Sequence, residues 1–285
     1  MKLPIQHFTF RQKMETNDFE FFHYKDNFPV EIDFHNHDFY EIYLFLSGNV
    51  TYIVEGKTYK LRPKDILIIN NQELHKAFIE TGTPYERIVI WANPSFIKSL
   101  CSDNTNLLSV FDPSSNKLNL IRPNPDMSEE IYKIAEKLGT TFISSDFGND
   151  LLKHVYFMEL LVYLNRISQN PVNGENMPGV TYNDKISKII YYINENLNKD
   201  VSLQMLSSRF YLSKYHLLRE FKKNTGYTIH RYIQQKRLIM ARELLRENKQ
   251  ITEVCSQCGF GDYSNFIRSF KKEFGMSPKK YFKRV

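Results

Sequence analysis

Cysteine is scarce in this chain, three among 285 residues, and an odd few in a long chain exclude a disulfide framework. No stretch approaches the ~20 consecutive apolar residues that a membrane span requires. The start, Met1-Lys2-Leu3-Pro4, lacks the apolar core of a secretory signal. These absences set the expectation of a cytoplasmic protein without membrane contact. What is present, 42% hydrophobic and 25% charged residues, is the composition of a soluble globular protein long enough for two ordinary domains.

Charge is shared unevenly. Residues 183–285 hold 21 Lys and Arg against 9 Asp and Glu, a net of +12, while residues 1–182 hold 17 against 23, a net of −6. A basic domain joined to an acidic one suits a nucleic-acid binder with a separate sensing domain. A merely solvated basic surface would give the same count.

Residues 1–115 read as β structure, because short apolar runs at 41–46, 50–54 and 66–69 alternate with turn signals such as Ser47-Gly48-Asn49 and Glu55-Gly56-Lys57. That spacing predicts a hairpin-rich sandwich or barrel. A helical segment follows within 116–168. Its helices are predicted near 128–138 and 149–168, the second from Leu152, Val155, Tyr156, Leu160, Tyr163 and Leu164 at helical spacing. Residues 169–182 have a linker composition, and 183–285 complete the chain.

That last part contains a repeat. Phe221-Lys222-Lys223-Asn224-Thr225-Gly226 recurs as Phe270-Lys271-Lys272-Glu273-Phe274-Gly275, and Tyr232 recurs as Tyr281 at the same offset of 49. A duplicated supersecondary unit accounts for this. In the first copy Ser202 caps a helix carrying Leu203, Leu206 and Phe210. Tyr211-Leu212 breaks the pattern, and Ser213 caps a second helix with Leu217, Leu218 and Phe221. In the second copy Ile251, Val254, Cys255 and Cys258 form a stripe, Gly259-Phe260-Gly261 turns, and Asp262 or Ser264 caps a helix with Phe266 and Phe270. Each copy is a helix-turn-helix, which offers its second helix to the major groove. One long helix is predicted over 229–245, ~25 Å at ~1.5 Å per residue. Cys255-x-x-Cys258 carries no second ligand pair, so core packing outweighs a zinc or redox role.

Ser213, Leu217, Arg219, Phe221-Lys222-Lys223, Gly226, Ala241-Arg242-Glu243-Leu244-Leu245, Gly259-Phe260, Asp262, Ser264, Phe266, Arg268, Phe270-Lys271-Lys272, Gly275, Ser277-Pro278 and Tyr281 together resemble the AraC/XylS family of transcription regulators, over residues 186–284. The resemblance implies a seven-helix DNA-binding domain. By position it implies base-edge contacts from Tyr215, Leu218 and Arg219 in one recognition helix, and from Tyr263, Ser264, Ile267 and Arg268 in the other. Leu218 suits a thymine methyl. Lys222, Lys223, Lys271 and Lys272, at helix ends, suit phosphate.

The segment His35-Asn36-His37-Asp38-Phe39-Tyr40-Glu41, followed by Gly48 and later by His75, resembles the motifs of the cupin barrel. On an unbroken strand His35, His37 and Glu41 share a face. Where that pattern places proline and glycine, this chain has Asn70-Asn71. The residues suit a divalent metal or a polar small molecule, and we read them as an effector pocket without a metal or other cofactor. Tyr43 and Trp91 are candidate walls of that pocket, with Phe45.

The expected fold is α+β, a cupin-like barrel with a helical segment and then an all-α domain with two helix-turn-helix units. The expected function is a sequence-specific DNA-binding transcription regulator, an activator or a repressor, controlled by a small-molecule effector such as a sugar bound in the barrel. It is expected to form a homodimer through 116–168, with double-stranded DNA and RNA polymerase as partners. The alternative is a metal-dependent cupin enzyme with a basic nucleic-acid-anchoring tail.

Overall fold

The computed structural model describes residues 3, 5, 6, 8, 12–27, 33–112, 118–169 and 177–283. The chain divides into two compact units, Met1–Val54 with Thr58–Thr181, and Glu55–Lys57 with Tyr182–Val285. No helix among the described residues is long and apolar enough to cross a membrane.

In the first unit the strands are β1 (Phe19–Asp26), β2 (Tyr40–Ser47), β3 (Val50–Val54), β4 (Lys57–Lys60), β5 (Ile66–Ile69), β6 (His75–Ile79), β7 (Tyr85–Ala92), β8 (Leu120–Ile121) and β9 (Val180–Thr181). They form a five-stranded sheet in the order β1-β7-β2-β5-β8 and a four-stranded sheet in the order β6-β3-β4-β9. The short strands β8 and β9 come from beyond residue 115. Much of the stretch expected as a linker, 170–176, lies outside the described residues.

The apolar runs are nearly continuous because the five-stranded sheet is buried on both faces. In β2, Ile42 and Leu44 join one core with Ile66, Ile88 and Ile90. The alternating Tyr43 and Phe45 join the other, with Tyr52, Val54, Val89 and Trp91. The first core is covered by α1 (Pro94–Ser99), α2 (Pro125–Thr141) and α3 (Asn149–Ser168), which contribute Ile131, Ile134, Leu138, Phe157, Leu160 and Leu161. Each such side chain, when fully buried, contributes roughly 1.5–3 kcal/mol. Helix α2 is longer than the predicted 128–138: Pro125 starts it, and the Asn124 side chain accepts from Met127 N.

The second unit is all helical among the described residues: α4 (Asp184–Glu195), α5 (Leu203–Arg209), α6 (Lys214–Thr225), α7 (Ile229–Arg246), α8 (Ile251–Gln257), α9 (Tyr263–Phe274) and α10 (Pro278–Phe282). Local chemistry fixes the boundaries. Ser202, Ser213 and Thr228 each accept a backbone N–H in the first turn of α5, α6 and α7. Of the two residues expected to cap α9, Asp262 does so. Such caps contribute ~1 kcal/mol each. The duplicated recognition helices α6 and α9 both end on left-handed glycines, Gly226 at φ 75° and Gly275 at φ 71°. Cys255 and Cys258 pack with Val254, Phe266 and Phe270. Burial pushes the Cys258 thiol up to about 12, so it stays a neutral, inert core group.

Candidate effector pocket and nucleic-acid interface

A cavity of about 670 Å³, its open mouth included, lies in the first unit. Of the seven residues expected to line it, six do: His35, His37, Glu41, Tyr43, His75 and Trp91. Phe45 does not; it is fully buried in the core between the sheets. The histidines reach the cavity without the unbroken strand that the motif suggested. β2 begins only at Tyr40, and His35 instead makes a lone antiparallel bridge to His75, with N–H···O distances of 3.1 and 3.0 Å. That bridge sets the His35 and His75 rings 4.3 Å apart, centroid to centroid, and the His37 ring lies 5.0 Å from that of His75.

At this end, His37 Nε2 stands 3.5 Å from Glu41 Oε2, and Trp91 Nε1 donates to the same carboxylate oxygen at 3.1 Å. Ligand atoms of His37, Glu41 and His75 all lie within 4.8 Å of one another, and all three residues are buried. Burial, with His35 and His37 beside it, holds His75 well below the ordinary imidazole range. Burial lowers His35 as well, reinforced by His37. Both rings are therefore neutral near pH 7, when either can offer a lone pair.

The opposite end is built from residues that the motif did not indicate. Tyr52, Tyr85 and Arg87 line the cavity with Tyr43. The Tyr43 and Tyr85 hydroxyls are 2.5 Å apart, and burial raises the pKa of Tyr43, Tyr52 and Tyr85, keeping them as neutral hydroxyls. The buried Arg87 guanidinium pairs with Asp26 and lies 4.0 Å from the Tyr85 ring centroid and 4.9 Å from that of Tyr24. The period of β7 carried this signal. Tyr85, Arg87, Val89 and Trp91 alternate, so the face assigned through Trp91 includes Arg87. With lone pairs at one end and hydroxyls at the other, the cavity can orient a small polar molecule by both donors and acceptors.

In the second unit the other sequence-predicted residues fall on α6 and α9. On α6, Tyr215, Leu218, Arg219, Lys222 and Lys223 are exposed while Leu217 and Phe221 are buried. On α9, Tyr263, Ser264, Arg268, Lys271 and Lys272 are exposed, Ile267 is half-buried, and Phe266 and Phe270 are buried. Arg219 also approaches Glu220 Oε1 at 3.3 Å, a contact that an exposed pair exchanges readily for another partner. Tyr211, in the turn before α6, is nearly fully exposed at 94% and holds φ 52°; the sequence reading marked it only as a break.

A family profile described as an AraC-like ligand binding domain matches residues 21–161, and one described as a helix-turn-helix domain matches 206–284. The chain is 28% identical over 250 residues to the HTH-type transcriptional activator RhaS of Salmonella schwarzengrund (strain CVM19633), covering 86% of this chain and 85% of that protein. Among solved structures, the C-terminal domain of the two-component response regulator yesN from Fusobacterium nucleatum is 33% identical, covering 35% of this chain and 99% of that chain, with a TM-score of 0.34. ToxT from Vibrio cholerae is 16% identical, covering 94% of this chain and 99% of that chain, with a TM-score of 0.37.

Proposed function

Because this chain belongs to the AraC/XylS family of transcription regulators, we propose that it is a cytoplasmic activator whose promoter binding is governed by a small polar effector, a sugar, in the barrel cavity. It is a regulator with an N-terminal ligand-binding domain and a C-terminal helix-turn-helix DNA-binding domain. The observation that carries the specific reading is a pair of matching helices. Arg219 on α6 and Arg268 on α9 occupy equivalent places in the repeat, and both are exposed beside buried partners. In this reading Tyr215, Leu218 and Arg219, and Tyr263, Ser264, Ile267 and Arg268, read base edges. Lys222, Lys223, Lys271 and Lys272 contact phosphate.

His35, His37, Glu41, Tyr43, His75 and Trp91 hold the effector, and the cavity serves binding rather than turnover. The relative named above is a transcriptional activator, and RNA polymerase is the partner through which an activator acts. Residues 116–168 form the contact with a second copy. Helix α3 supports this, since Leu151, Leu152 and Val155 are exposed while Phe157, Leu160, Leu161 and Leu164 fill the core.

A reporter driven by a binding site selected from genomic DNA tests the effector assignment. His37→Ala shifts the dose response to the inducing sugar by tenfold or more, as loss of a polar contact worth ~1.4 kcal/mol requires. An unchanged dose response places the effector outside this cavity.

A further inference from the structure

The two helix-turn-helix units are built alike down to single hydrogen bonds, and they part at one residue. Helices α5 and α8 correspond position for position, Leu203–Arg209 with Ile251–Gln257. Both end in the same way. Tyr211 N donates to Ser208 O and Leu212 N to Ser207 O, as Gly259 N donates to Ser256 O and Phe260 N to Cys255 O. Such a pair of bonds belongs to a helix closed by one left-handed residue. That residue is Gly259 at φ 73° in the second copy and Tyr211 at φ 52° in the first.

Glycine and asparagine take this conformation at little cost, and they close α6, α7 and α9 as Gly226, Asn248 and Gly275. A tyrosine meets the full left-handed penalty. Its ring offsets none of that within the fold, because the residue is nearly fully exposed. The turn that carries it is firm. Ser207 Oγ donates to Leu212 O at 2.5 Å, and the Ser213 side chain accepts from His216 N to start α6. A strained, bulky residue displayed on a rigid turn, with no packing to account for it, points to a contact outside the chain.

We propose that Tyr211 anchors the first recognition helix to DNA: its hydroxyl donates to a phosphate at the rim of the major groove that α6 enters. The assignment rests on the reading of α6 as a recognition helix. In that geometry the start of the helix lies at the base edges. The turn just before it then stands beside the phosphates, and tyrosine is among the side chains that contact them. Lys214 and Tyr215, both exposed, flank the same end of α6. A phenol adds reach and one directed hydrogen bond, so the contact sets the register of α6 and carries no sequence information. The second unit has no room for a counterpart, since a Cβ on Gly259 would run into the Leu197 carbonyl oxygen. The first recognition helix thus has an anchor that the second lacks.

The test uses the full chain and two duplexes, the site that the wild type selects from a randomised library and an unrelated duplex of equal length. Fluorescence anisotropy gives affinities across a series of potassium chloride concentrations. Tyr211→Phe, which removes only the hydroxyl, weakens binding to both duplexes ~3–10-fold, the range of one uncharged hydrogen bond. Tyr211→Gly weakens it at least as much and yet raises the urea midpoint of the second unit, because relief of the left-handed penalty outweighs the added freedom of the unfolded chain. Neither variant alters the slope of affinity against salt, since a phenol releases no counterion, whereas Lys222→Ala reduces that slope by ~1. Wild-type affinity in both Tyr211 variants overturns the proposal; if reporter activation is lost all the same, the residue faces a protein partner instead. A lower midpoint for Tyr211→Gly gives the tyrosine a structural role and also overturns it. A changed selected sequence makes Tyr211 a base reader and rejects the phosphate anchor. Arg219→Ala is measured in parallel. Loss of DNA recognition in that variant, with wild-type affinity in both Tyr211 variants, removes the anchor and leaves the reading of α6 standing.

Discussion

Arg87 shows what one residue reveals and conceals. In a strand read for its apolar alternation, an arginine between Tyr85 and Val89 looks misplaced. In the structure its guanidinium is buried among Tyr85, Tyr24 and the Asp26 carboxylate. Removing it strands a carboxylate of which only 14% is exposed. Breaking one side of a buried pair costs ~3–5 kcal/mol, so Arg87→Met lowers the unfolding free energy of the barrel by that amount and its urea midpoint in proportion, and the double variant with Asp26→Asn recovers part of it. Equal midpoints for Arg87→Met and wild type would contradict the pairing. His35, His37, Glu41 and His75 were legible because a motif marks chemistry by residue type and spacing. Tyr52, Tyr85 and Arg87 were not, since aromatic and charged residues in strands serve cores and surfaces equally often. The position of β7 between β1 and β2, which sets their surroundings, is a long-range property that no local pattern encodes.

At the scale of elements, helices were more legible than strands. Serine, threonine and aspartate caps and terminal glycines act within one turn, so α6 and α9 could be bounded from their own residues. β8 and β9, two residues each, carry no pattern of their own and exist only through their partners. The turn between α8 and α9 contains two glycines that the sequence could not rank. Gly259 sits at φ +73°, and a Cβ there would lie 2.3 Å from the Leu197 carbonyl oxygen, whereas Gly261 has nothing within 4 Å. Gly259→Ala meets both a left-handed penalty of ~1–2 kcal/mol and a backbone collision. It therefore destabilises the second unit by at least ~2 kcal/mol in chemical denaturation, while Gly261→Ala changes stability by under ~0.5 kcal/mol. Equal effects would mean that the turn is not constrained as described. Helix α3 allows a similar test. Leu151→Glu with Val155→Glu places charge on its exposed apolar face and converts the proposed dimer into a folded monomer by sedimentation; a variant that remains dimeric locates self-association elsewhere.

For the molecule as a whole, the division of labour follows from charge and chemistry. The basic second half, net +12 from residue 183 onward, supplies sequence-independent attraction to phosphate. In the proposed reading, discrimination comes from the few exposed side chains of α6 and α9. The 18 residues of α7 span ~27 Å at ~1.5 Å per residue, and one face of the duplex presents successive major-groove segments ~34 Å, or ~10 bp, apart. The most direct test is selection by the full chain from a randomised duplex library, in parallel with Arg219→Ala and Arg268→Ala. The account predicts a site with two short elements about 10 bp apart, each arginine variant relaxing one element only, by the ~1–3 kcal/mol of a bidentate contact to guanine. Wild-type sequence preference in both variants, with only overall affinity reduced, would make the arginines phosphate clamps and contradict base readout by the paired helices.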